Sequence, residues 1–159
     1  MNQAPSDHLF VVDAPRDRES AGQRLASLGR VEPLEGSERL LLLSTPVGDP
    51  ETRWARAQKL LGELGTVQPV LVDELGETQL PTGEISVRFH EIPADDRLQQ
   101  FAAEHGLRLR DRNEFVPQQA VFRPADPSAS YLPKLVRELA GTKDTKAVWA
   151  NTLSRFRRS

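Results

Sequence analysis

Gly83-Glu84-Ile85-Ser86-Val87-Arg88-Phe89 is the stretch that decides the fold. Ile85, Val87 and Phe89 alternate with Ser86 and Arg88, the period of a strand with one buried face and one wet face. Downstream, Pro93 and Asp95 open a helix that carries Leu98, Phe101, Ala102 and His105 on one side and stops at Gly106. Leu107-Arg108-Leu109-Arg110 alternates again, Asn113 to Pro117 reads as a loop, and Ala120 to Arg123 as the return strand. Pro127-Ser128 precedes a helix with Leu132, Leu135, Val136 and Leu139 on one face. Pro133 falls in its first turn, where the missing N–H costs little, and Gly141 closes it. Ala147-Val148-Trp149-Ala150 is the last strand. The order is βαββαβ.

Upstream the same order is present. His8 to Val12 is a strand, and Glu19 to Leu28 a helix with apolar residues at 21, 25 and 28 and Gly29 as its cap. Val31 to Leu34 is one more strand and, past the turn Glu35-Gly36-Ser37-Glu38, Leu40 to Leu43 a buried one. Asp49-Pro50-Glu51 has the form of a helix start: a capping carboxylate, Pro at the first helical position, an acid in the first turn. Trp54, Ala57, Leu60, Leu61 and Leu64 then make one apolar stripe, Gly65 ends it, and Val67 to Val72 closes the unit. Asp73 to Gly83 is polar and reads as a short linker.

The expected fold class is α+β: two tandem ferredoxin-like βαββαβ units, each an antiparallel sheet with two helices on one face. Residues 1–80 form the N-terminal module and residues 81–159 the second module with a C-terminal tail. In both, the face away from the helices is expected to stay open to water or to a partner. Modules this small bury little surface alone, so docking or binding adds to their stability.

The 159 residues contain no Cys, which excludes a disulfide scaffold, a thiol nucleophile and Cys-built metal sites. Three scattered His argue against a His-built site, and no metal or other cofactor is expected. Residues 1–80 hold 8 Lys/Arg and 13 Asp/Glu, a net of −5; residues 81–159 hold 13 and 10, a net of +3. The change of sign fits two modules, and neither value demands nucleic acid or an anionic membrane. Leu40 to Leu43 is far too short to cross a bilayer, and the first seven residues lack the basic start and apolar centre of a secretory signal. The chain therefore reads as soluble and cytoplasmic.

Catalytic patterns are missing. There is no Gly-x-Ser-x-Gly elbow, and Gly62-Glu63-Leu64-Gly65 lacks the Lys-Ser/Thr of a phosphate loop. Asp95-Asp96 reads as acids in a first helical turn rather than a metal pair, and His105 as a residue favoured at a helix C-terminus. An RNA-binding sheet needs stacking aromatics on central strands; in Val31 to Leu34 and Ala120 to Arg123 there is only Phe122. The reading is of a non-enzymatic protein that does not bind nucleic acid.

Gly83 to Phe89, followed by Leu98-Gln99-Gln100-Phe101-Ala102-Ala103-Glu104-His105-Gly106-Leu107, resembles the N-terminal propeptides of bacterial subtilisin-like proteases. Those show a strand ending in Val-x-Phe, a helix, and a Gly-Leu step into the second strand. Tyr131 to Leu139 resembles their second helix, and Ala147 to Ala150 their final strand. Asn151-Thr152-Leu153 departs from the acidic-Pro-Asn stretch usual after it. The likeness covers about residues 83–153; the first half is similar to the extra module that some of these proteases carry before the propeptide.

The resemblance implies a ferredoxin-like fold whose open sheet packs on the protease, and a C-terminal segment that lies in the substrate cleft as a product. It implies an inhibitor and folding chaperone forming a heterodimer with a subtilisin-like serine protease, here as a separate chain. It further implies a role for the tail Arg155-Phe156-Arg157-Arg158-Ser159. With Ser159 as the product-like end, Phe156 takes the fourth position before the scissile bond, where subtilisins favour a bulky apolar residue. Arg157 and Arg158 take the third and second, and the Ser159 carboxylate faces the oxyanion hole. A solvated basic terminus is the alternative. Glu114 would cap a helix N-terminus of the enzyme, its alternative being a solvated loop acid. The competing function is a ligand-sensing or protein-interaction module built from the paired units.

Overall fold

The computed structural model describes residues 3–153, which divide into two compact units, 3–81 and Thr82–Leu153. The protein is α+β, with two antiparallel sheets and four helices among the described residues.

The first unit runs β1 (Ala4–Asp13), α1 (Arg18–Leu25), β2 (Arg30–Pro33), β3 (Leu40–Ser44), α2 (Pro50–Leu61), β4 (Thr66–Val72) and β5 (Thr78–Gln79). Its five strands lie in the order β2-β3-β1-β4-β5. Each helix begins on an aspartate. Asp17 accepts from the Ser20 N–H at 2.9 Å, and Asp49 from the Thr52 N–H at 2.9 Å, so donors with no partner in the helix are satisfied at the first turn. These bonds, the one from each serine or threonine hydroxyl first, hold both carboxyls below their ordinary pKa. Pro50 sits in the first turn of α2, as its fixed φ favours. Phe10 opposite Leu43 and Val12 opposite Leu41 line the face that α1 and α2 cover, and all four are buried. Gln58 of α2 ties the helix to the following strand, donating to the Gly65 carbonyl at 3.0 Å and accepting from the Val67 N–H at 2.8 Å.

Four expectations for this unit are corrected. The segment from Asp73 is not a linker: Asp73 Oδ1 accepts from the N–H groups of Leu75 and Glu77, forming a turn that leads into β5, paired with β4. Only Leu80 lies between β5 and β6, the next unit's first strand (Pro81–Phe89). β2 lies at a sheet edge, not in the centre. Helix α1 ends at Leu25, and Gly29 does not cap it; a Cβ there would collide with the carbonyl of Ser44, so glycine is required by close approach of two chain segments. Finally, the second face of the sheet is not open. Leu9, Val11, Leu42, Val70 and Leu80 form a buried cluster there, with Leu34 and Leu40 packed against it.

The second unit runs β6, α3 (Asp95–Glu104), β7 (Leu107–Arg112), β8 (Gln119–Pro124), α4 (Leu132–Ala140) and β9 (Thr145–Thr152), with strand order β7-β8-β6-β9. Ile85, Val87 and Phe89 of β6 meet Ala120 and Phe122 of β8, Leu98, Phe101 and Ala102 of α3, and Leu132 and Leu139 of α4 in one core. Phe101 is its centre, edge-on to Phe89 at 5.1 Å and tilted against Phe122 at 5.4 Å. Each fully buried Phe or Leu here contributes about 1.5–3 kcal/mol of transfer free energy. The helices of this unit start on Ala94 and Tyr131, neither of which makes a side-chain capping bond. Among the described residues no helix is long and apolar enough to cross a membrane.

Candidate functional site

Both helices of the second unit cover one side of its sheet, because Ile85, Val87, Phe89, Ala120 and Phe122 all point that way. Strand alternation then sends Ser86 and Arg88 of β6, Gln119, Val121 and Arg123 of β8, and Arg108 of β7 to the other side. Ser86 lies opposite Val121, Arg88 opposite Gln119, and Arg108 opposite Arg123. A bulge between Leu109 and Asp111 re-aims the end of β7.

This second face is polar and organised. Ser86 Oγ donates to Asn151 Oδ1 at 2.6 Å, joining β6 to β9. Arg88 donates to Gln119 Oε1 at 3.2 Å, and its guanidinium carbon lies 5.7 Å from the Trp149 ring centroid, a cation–π geometry. Arg110 and Glu84 approach at 3.5 Å. Ser86 is buried beneath this layer, while Arg108, Arg110 and Arg123 are exposed. Arg112, one step past the bulge, turns instead to the helix side, donating to Asp95 at 2.6 Å and to the Pro93 carbonyl at 2.8 Å.

Beside the face, the loop between β7 and β8 is fixed by Asn113, whose Oδ1 accepts from the N–H groups of Phe115 and Val116 at 2.9 and 3.0 Å. It displays Glu114, which is exposed and has no ion pair among the described residues, next to Phe115, which is 87% exposed. The tail residues Arg155, Phe156, Arg157, Arg158 and Ser159 lie outside the described residues.

The other residues singled out from the sequence have ordinary places. Asp95 and Asp96 stand in the first turn of α3. His105 ends that helix with its ring 4.6 Å from Phe101. His8 pairs with Asp7 at 2.8 Å. Gly62 to Leu64 is a 3-10 turn. Phe122 is fully buried on the helix side, so it offers no stacking platform to a base. Among the described residues no group of three or more His, Cys, Asp and Glu could hold a metal ion. Sequence reading missed the Arg108–Arg123 pair: alternation assigns each a face, but only the strand register sets them opposite each other.

No protein-family model matches the chain, and no curated protein is significantly similar to it.

Proposed function

We propose that the second unit is a propeptide-like docking module, and that the protein is a non-enzymatic inhibitor and folding chaperone of a subtilisin-like serine protease. Both units would then be ferredoxin-like, with the docking assigned to the second. The observation that carries this reading is the polar second face of the β7-β8-β6-β9 sheet. It is ordered by its own hydrogen bonds and lies opposite the helices. A further support is that β9 is an edge strand leading to the basic, Phe-containing tail. A tail of that kind enters a cleft by adding a strand through main-chain bonds, with pockets reading alternate side chains.

The test is to titrate purified bacterial subtilisins with the protein and follow peptide hydrolysis and gel filtration. Suppression at near-stoichiometric amounts with a co-eluting complex is expected; no inhibition and no complex across the panel would overturn the proposal. Removal of Arg155 to Ser159 should weaken inhibition strongly, and Phe156→Ala should cost more than Arg157→Ala, because it empties a pocket. Equal and negligible effects would refute that register.

A further inference from the structure

Arg108 and Arg123 face each other across neighbouring strands, both exposed, and neither has an ion pair among the described residues. Like charges directly opposite in a sheet destabilise it. Nearby arginines differ: Arg110 has Glu84, Arg112 has Asp95, and Arg88 has Gln119 and the Trp149 ring. Among the described residues the pair is therefore a local conflict, of the kind that a bound anion relieves.

We infer that Arg108 and Arg123 together bind a carboxylate of an acidic patch on the partner protein. This inference rests on the protease reading above and adds the chemistry of the partner's docking surface. Two planar guanidinium forks on adjacent strands can grip a carboxylate by charge-assisted, bidentate bonds. A protein surface is the better complement than nucleic acid. Glu84 is on the same sheet beside Arg110, so an acid interrupts the arginines of this face. Its aromatic ring, Trp149, is already covered by Arg88.

The decisive variant is Arg123→Glu, which converts a repulsive cross-strand pair into an attractive one. The free protein should melt at a higher temperature, while inhibition of a subtilisin that the unaltered protein inhibits weakens by about tenfold. The association rate of the unaltered protein should fall as salt is raised, and that dependence should flatten in the variant. Inhibition unchanged by Arg123→Glu overturns the inference and leaves the protease reading standing, whereas failure of the unaltered protein to bind any subtilisin overturns that reading first. Arg108→Glu serves as an independent variant with the same expected pair of effects. Tight binding of the unaltered protein to a single-stranded oligonucleotide, lost in both variants, would also overturn the inference, in favour of a nucleic-acid site.

Discussion

Val11–Leu42 in the first unit and Ser86–Val121 in the second occupy the same kind of place, between the first and third strands, on the sheet face away from the helices. In the first unit that place is apolar and closed: Leu42 is 2% and Val70 0% exposed. In the second it holds a hydrogen-bonded polar layer topped by exposed arginines. The two units share an order of elements and a helix-covered core, and differ in what the other side of the sheet is for. A face centred on a buried apolar cluster is committed to packing, even with Gln68 and Glu32 beside it; a face of arginines, an acid and a tryptophan has the composition of a recognition surface.

The comparison can be broken at three points. The largest effects belong to the shared side. Phe10→Ala and Phe122→Ala should each destabilise their own unit by about 4 kcal/mol, read by denaturant unfolding with residue-resolved hydrogen exchange. A small cost at either would show that one unit lacks a true helix-side core. Next comes the side where they differ. Leu42→Ala should cost about 3 kcal/mol, whereas Val121→Ala should cost under about 1 kcal/mol. Equal costs would erase the distinction between a closed and an available face. The smallest effect is in acid. Asp17 and Asp49 cap the first unit's helices with folded-state pKa values below the ordinary range, and the second unit's helices have no capping carboxylate. A depressed carboxyl stabilises fully above its unfolded pKa and stops doing so as pH falls through the folded one. The first unit should therefore lose stability below about pH 4 more steeply than the second, and Asp17→Asn with Asp49→Asn should flatten the difference. Parallel acid profiles in the unaltered protein would refute the role of the caps.

Much of the fold was legible because local chemistry decides it. Asp49-Pro50 specified a helix start, and Ile85 to Phe89 a strand with one buried face, and both are so in the structure. The closed second face of the first sheet also left a mark, since Leu9 to Val12 and Leu40 to Leu43 are unbroken apolar runs, the pattern of strands buried on both sides. Leu40 to Leu43 reads as a buried strand, yet the expectation of an open face away from the helices did not follow from it. β5 was illegible for a different reason: two residues, Thr78 and Gln79, carry no periodicity, and their pairing with β4 is set by the turn that Asp73 organises. The candidate site was half legible. Alternation put Arg88 and Arg108 on the outward side, but the meeting of Arg108 with Arg123 is a matter of register between strands. The same holds for the stacking of Arg88 on Trp149.

The junction of the two units has a consequence for a protein proposed to meet a protease. Leu80, alone between β5 and β6, is itself 3% exposed. An endopeptidase must draw several neighbouring residues, extended and unpaired, across its own surface before it can cut. The one-residue connection offers no such slack, so cleavage between β5 and β6 should be slow.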